Sequence, residues 1–324
     1  MSRATVRCTG DLVFDDMDYG WPALLRDCLE RGQPATPRGF GTLERLGVKF
    51  VLTDPSRAVV TCPARKLNHA FGAAEFLWVV SGQDEVETLA FYNSNIRQFA
   101  DQPKFVDVPI DKYAENPDGD RTYLTGAGKA EIPNARFFGA YGPPIVAQLP
   151  SVMRALDETD SRQAVLTIWR QNPPKTKDVP CTVALQFLLR DGRLNMMAVM
   201  RSSDLWLGIP YDVPLFCRLQ SLVASRLGVP MGTYTHVAGS LHLYDRDREA
   251  ALKCTMPRHV GVRPAELAVG SFDPAVSPAF AWGCAERIAR GEEGVGTRAV
   301  GWGDLVGLMR GFAERKRAKE AARG

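Results

Sequence analysis

What this chain of 324 residues lacks narrows its class before any motif is read. No run approaches the ~20 apolar residues that a membrane-crossing helix needs, and the opening MSRATVRCTGDLVF has no apolar centre of a secretory signal. The expectation is a cytoplasmic protein. Charge of one sign is not in excess: 40 Lys and Arg stand against 37 Asp and Glu, a net charge of +3, so no overall field points to nucleic acid. Any anion site must then be local. The seven cysteines, at 8, 28, 62, 181, 217, 254 and 284, form no C-x-x-C pair and no regular framework, which excludes a disulfide scaffold and argues against structural zinc. They read as reduced thiols, and no metal site is expected. TGAGKA lacks the spacing of a phosphate-binding P-loop, and no internal repeat is present.

What remains is ordinary globular composition, 45% hydrophobic and 24% charged, enough to bury a sizeable core. The length is compatible with a single domain over 1–324. Within it, a polar, loop-rich insertion occupies about 101–130 and a polar helix about 303–324. Apolar periodicity predicts helices over about 19–31, 65–80, 145–156 and 212–227, the last with Pro214 in its first turn and Gly228 past its end. Strands are predicted over 164–170, 182–190 and 194–201, the last two joined by the hairpin signal Asp191-Gly192.

The chemistry concentrates between Pro180 and Tyr244. In order come Pro180-Cys181, Gln186-Phe187, Arg201-Ser202-x-Asp204, Leu207-Gly208-x-Pro210 and Gly239-x-x-His242-x-Tyr244. Upstream, Glu75 lies alone in the apolar run HAFGAAEFLWVV, where an ionised carboxylate is costly to bury without partners. Tyr141 follows FFGA, Asp160-Ser161-Arg162 precedes an apolar strand, and Arg38 sits in a Gly-flanked loop. This ordered set closely resembles the thymidylate synthase family. The resemblance implies an α/β (α+β) fold, with a mixed sheet flanked by helices and a homodimer formed sheet to sheet. It also implies a one-carbon transferase using 5,10-methylenetetrahydrofolate as cosubstrate, with no metal.

Roles carry over residue by residue. A pyrimidine C5 becomes nucleophilic only after a thiolate adds to C6, and Cys181 is the implied nucleophile, with Arg201 on the facing strand lowering its pKa. Glu75 relays protons, and Tyr141 and Asp204 assist proton removal at C5. Arg38, Arg201, Ser202 and Arg162 of the second subunit hold the phosphate, with Gln163 where a second arginine is usual. Gln186 also falls among the nucleotide contacts, and His242 and Tyr244 hydrogen-bond the sugar. Asp204, Leu207, Gly208 and Tyr211 are the implied folate contacts. The tryptophans and the apolar C-terminal tail that close over folate in thymidylate synthases are not recognisable.

One position separates branches of the family. Thymidylate synthases place Asn after Leu-Gly-x-Pro-Phe, where its amide serves uracil O4 and N3-H; this chain has LGIPYD, with Asp212. A carboxylate repels O4 but accepts from the N4 amino group of cytosine. Asp212 as an ordinary helix N-cap is the bland alternative. Thr182 after the cysteine and Gly-Ser-Leu-His-x-Tyr also resemble the cytidylate (CMP or dCMP) 5-hydroxymethylases, in which water attacks the exocyclic methylene and folate leaves unoxidised. Within that branch the CMP hydroxymethylase of mildiomycin biosynthesis is the preferred member, on a composition that suggests a GC-rich genome and shows no phage features. The alternatives left open are a dCMP hydroxymethylase, a thymidylate synthase acting on dUMP, and a non-catalytic nucleotide- or RNA-binding member of the fold.

Overall fold

The computed structural model describes residues 12–100, 136–171, 176, 178–255 and 264–323, and the backbone of short strands at 5–6 and between 106 and 130. In chain order these give β1 (Thr5–Val6), β2 (Leu12–Phe14), α1 (Met17–Arg31), β3 (Gln33–Ala35), β4 (Thr42–Leu52), α2 (His69–Val80) and α3 (Glu87–Tyr92). Then come β5 (Val106–Pro109), β6 (Lys112–Glu115), β7 (Arg121–Leu124), β8 (Ala127–Ala130), α4 (Gly142–Leu156), β9 (Val165–Thr167), β10 (Thr182–Arg190) and β11 (Arg193–Asp204). The chain ends with α5 (Ile209–Leu227), β12 (Met231–Tyr244), α6 (Arg248–Leu252), α7 (Pro278–Arg290) and α8 (Trp302–Ala321).

The main sheet runs β1-β2-β4-β12-β11-β10-β9, with β3 added to β4. It is mixed: β11 pairs parallel with β12 across the α5 crossover, while β4 and β10 pair antiparallel with these central strands. Asp191 and Gly192 both take positive φ, 49° and 69°, which is the two-residue turn that Asp-Gly favours, and it sets the register Arg190 opposite Arg193. Period-two alternation gives the sheet two different faces. Leu194, Met196, Ala198 and Met200 of β11 and Tyr234, His236 and Ala238 of β12 are buried under helices. Their alternates Asn195, Met197, Val199, Thr233, Thr235 and Val237 are half-exposed.

Several boundaries differ from the periodicity. The second helix begins at His69, capped by the Asn68 side chain, and Arg65 is left in the preceding turn. The strand expected over 164–170 pairs only at Val165–Thr167. In the insertion, β5 pairs with β8 and β6 with β7, so the loop-rich reading is corrected there; the rest of that segment lies outside the described residues. The terminal helix buries Trp302, Leu305, Val306, Met309 and Ala313 in an otherwise polar sequence. Trp302 is 0% exposed and stacks on Phe76 of α2 at 6.4 Å, so α7 and α8 support the helix that carries Glu75. Among the described residues no helix is long and apolar enough to cross a membrane, and six cysteines are free thiols.

Trp302→Ala is expected to lower stability by about 3–5 kcal/mol in denaturant unfolding, as the cavity adjoins rigid aromatic neighbours. A loss below about 1 kcal/mol would show that α8 contributes little to holding α2.

Candidate active site

A cavity of about 410 Å³ opens between α2, α5, the start of α4 and the segment entering β10. Each wall has a local cause. Asp204 ends β11 and its Oδ1 accepts from the backbone N–H groups of Trp206 and Leu207 at 2.7 and 2.9 Å, turning the chain sharply into α5. Gly208 is the N-cap of that helix, and a Cβ there would lie 3.0 Å from both the Asp204 carbonyl oxygen and Asp212 Oδ2. Tyr211 then ties α5 to α2. Its hydroxyl accepts from the Asn68 N–H at 3.1 Å, and its ring meets Phe71 edge-on at 5.2 Å and packs by Gly72. That clamp brings Glu75 opposite Asp212.

Of the residues expected from sequence, Glu75, Tyr141, Cys181, Leu207, Gly208, Tyr211 and Asp212 all line this one cavity. Asp212 lies inside the first turn of α5, with its N–H bonded to the Gly208 carbonyl at 2.9 Å. The N-cap is Gly208, which excludes the reading of Asp212 as a mere cap.

The remaining candidates surround the cavity at different distances. Arg201 donates to the carbonyls of Val179 and Pro180, each at 2.9 Å, and its guanidinium lies 5.7 Å from the Trp169 ring centroid. It is thereby fixed against the peptide that presents Cys181. Parallel pairing sets Asp204 beside His242, whose Nδ1 is 3.4 Å from Ser202 Oγ and whose ring meets Tyr244 edge-on at 5.3 Å. Arg38 takes a left-handed backbone, φ 54°, between Pro37 and Gly39, a conformation that costs a non-glycine residue of order 1 kcal/mol. It remains close enough to act electrostatically on the Cys181 thiol. Gln186 and Arg162 are not brought into the cavity. The Gln186 amide donates to the Arg162 carbonyl at 3.0 Å, by the β9 edge of the sheet, and the Arg162 side chain is exposed.

The electrostatics differ in one respect from the expectation of a thiol acidified by Arg201. Burial is the largest influence on Cys181 and raises its pKa; Arg201 and Arg38 oppose this, while Asp212 and Asp178 add to it. The thiol is therefore neutral at pH 7, and its proton must leave as sulfur attacks. Burial likewise pushes the Glu75 carboxyl up to about 8, with Asp212 adding and Arg218 opposing. Asp212 is raised to about 7 by burial first and Asp204 second. Burial, then Asp212 and Cys181, hold the Tyr141 hydroxyl protonated, and that hydroxyl bonds Thr182. The cavity thus gathers a thiol and two carboxyl groups able to gain or lose a proton near neutral pH, the property that general acid–base catalysis requires.

Sequence reading did not single out Trp78, Phe99, Phe137, Asn93 or Asp178, all of which line the cavity. Trp78 was legible, three residues after Glu75 on the same helical face. Phe99 and Asn93 come from the irregular stretch after α3, where no period operates. Trp78, Phe99, Phe137, Leu207 and Tyr211 together give the cavity flat, apolar walls of the kind that receive a planar ring. Among the described residues, no three His, Cys, Asp or Glu side chains gather as a metal site would require.

With this geometry established, the relatives are informative. A family model described as thymidylate synthase matches residues 20–269. The chain belongs to the thymidylate synthase family. The match runs from the start of α1 past Tyr244 and ends before α7 and α8. Members of the family are one-carbon transferases with methylenetetrahydrofolate as cosubstrate. A deoxyuridylate hydroxymethyltransferase of Bacillus phage SP01 is 30% identical over 247 residues, covering 74% of this chain and 60% of the phage protein. A thymidylate synthase of Staphylococcus haemolyticus is 22% identical over 305 residues, covering 81% of this chain and 89% of that enzyme.

The two half-buried carboxyl groups carry a stability cost with a definite sign. Glu75 and Asp212 titrate near 4 when unfolded and at about 8 and 7 when folded, so between those values the folded state holds protons that the unfolded state lacks. Their contribution is most favourable below the unfolded values and is lost as pH rises towards about 8. Glu75→Gln should therefore raise the melting temperature relative to wild type, and by more at about pH 8 than at about pH 5. A difference that is the same at both pH values would contradict the shift.

Proposed function

We propose that this family member transfers a hydroxymethyl group to C5 of a cytidine monophosphate, from 5,10-methylenetetrahydrofolate and water, through a covalent Cys181–C6 adduct. The products are the 5-hydroxymethyl nucleotide and tetrahydrofolate. The observation that carries this reading is Asp212: a carboxyl group inside the first turn of α5, facing the cavity and free of any capping duty. The ionised carboxylate accepts from cytosine N4-H, and its protonated form can also donate to N3. Uracil, with O4 as acceptor, is repelled by the ionised form and tolerated only by the protonated one. Discrimination against uracil should therefore steepen as Asp212 ionises. CMP is preferred to dCMP on the composition that points to the mildiomycin enzyme. A deoxyuridylate substrate is the second reading, favoured by the name of the phage relative.

Cys181 attacks C6, its proton leaves through the pocket, and C5 gains the electron density to form a carbon–carbon bond. The folate supplies a one-carbon unit at the oxidation level of formaldehyde, and Trp78, Phe99, Leu207 and Tyr211 would hold its ring. Glu75 takes and returns protons through water, and Tyr141 and Asp204 assist loss of the C5 proton. With that loss the C–N bond to the transferred carbon breaks, tetrahydrofolate leaves and an exocyclic methylene remains on C5. Water then adds to the exocyclic methylene, and expulsion of the Cys181 sulfur restores the aromatic base. Hydride is not transferred, so folate is not oxidised. Arg38, Arg201 and Ser202 hold the phosphate, joined by the partner subunit's copy of Arg162. The half-exposed sheet face is the surface for that homodimer. A pure nucleotide binder of this fold would need neither Cys181 nor Glu75.

Asp212→Asn should exchange an ionisable acceptor for an amide that satisfies uracil O4 and N3-H together. Unpaired buried hydrogen bonds cost roughly 1–3 kcal/mol each, so the ratio of cytidylate to uridylate turnover should fall by about 10². The wild-type ratio should rise from about pH 6 to about pH 8, while that of the variant should not. Unchanged ratios for both the CMP/UMP and dCMP/dUMP pairs would remove the support for cytosine.

The dimer is tested by complementation. Mixing inactive Cys181→Ala and Arg162→Ala chains should restore activity, because one site of the heterodimer has both groups intact. No recovery while subunits demonstrably exchange would mean that Arg162 does not act across the interface.

A further inference from the structure

Arg218 has no part in the chemistry above, yet it is 4% exposed. It lies on α5 beyond Asp212. A guanidinium removed from water costs several kcal/mol unless close acceptors offset it. Among the described residues, no side chain forms a close ion pair with Arg218. Burial brings its pKa down to about 10. The carboxyl group whose charge acts on it is Glu75 of α2, the helix packed against α5. Beside that contact is a void of about 10 Å³, close to the size of one water, lined by His69, Gly72, Tyr211, Pro214 and Arg218 among others.

Two groups of opposite charge on α5 thus act on Glu75: Asp212, which lines the same cavity, and Arg218, which does not. The other titratable groups around it are Tyr141 at the head of α4, Asp178 and Cys181 on the segment entering β10, Tyr211 on α5 and His69 on its own helix. Behind α2, Phe272 and Trp302 stack against Phe76 and contribute no charge. Among the described residues, Arg218 is the cation whose charge acts on Glu75.

We propose that the buried Arg218 guanidinium is a positioning residue, holding the Glu75 carboxyl against repulsion from Asp212 so that Glu75 can both accept and release a proton beside the nucleotide. No electrons are exchanged in that step; one proton arrives from the substrate through water and one leaves. The inference rests on the proposed function only in giving Glu75 the proton relay, and it holds for whichever pyrimidine the enzyme converts.

The test is the pH dependence of C5-hydrogen exchange with solvent, measured on the nucleotide that the wild type converts best. Loss of an opposite charge near a carboxyl raises its pKa by about one unit or more. Arg218→Met should move the rising limb of the profile upward by about that amount, with a roughly tenfold loss of rate below it, while nucleotide affinity is retained. Arg218→Lys, which keeps the charge, should leave the limb near its wild-type place. In a Glu75→Gln background, Arg218→Met should cause no further shift. If Arg218→Met does not fold, Arg218→Gln should show the same displacement. A limb that stays in place in the neutral variants, or moves as far in Arg218→Lys, would overturn the proposal. Failure of the cytosine assignment alone would leave this profile interpretable.

Discussion

The structure depends on keeping carboxyl groups in a pocket that water only partly reaches. Glu75 and Asp212 face each other across α2 and α5, and burial raises both into the range where they exchange protons near neutral pH. The surrounding fold maintains that unfavourable proximity. Tyr211 binds the two helices together, the Asp204 turn and Gly208 fix where α5 begins, and α7 and α8 support α2 from behind. Burial also keeps the Cys181 thiol protonated until it reacts, while Arg201, bonded to the two carbonyls before it, fixes the position of the attacking sulfur.

Much of the fold was legible because its signals are local. Asp191-Gly192 specified a hairpin and formed it, and Gly228 took the left-handed C-cap, φ 69°, at the end of α5. α5 starts at Ile209, ahead of the expected Asp212, because Leu207, Gly208 and Ile209 carry no ordinary capping residue and the turn is capped from Asp204, at the end of the preceding strand. Likewise the helix expected from Arg65 starts only where Asn68 can cap it. The partner order of β4, β12 and β11 could not be read from periodicity, which gives the faces of a strand but not its neighbours.

The site was legible where chemistry leaves unusual residue types in apolar text. Glu75 in an apolar helix and Cys181 at a strand start are such cases, and both reach the cavity. Residues that contribute by shape, such as Phe99 and Phe137, resemble any core aromatic in sequence. Arg218 was hidden for another reason: on a helix, an arginine reads as surface until burial is known. Gln186 was named from its motif alone, and in this chain its amide is bonded to the Arg162 carbonyl, outside the cavity lining.

The account is tested most directly by mass spectrometry of the nucleotide formed from CMP, dCMP, UMP and dUMP with methylenetetrahydrofolate, with absorbance followed for dihydrofolate. It predicts that a cytidylate gains one CH2O unit, that the uridylates react far more slowly, and that no dihydrofolate accumulates. A methylated uridylate formed together with dihydrofolate, or a hydroxymethylated uridylate as the main product, would contradict it.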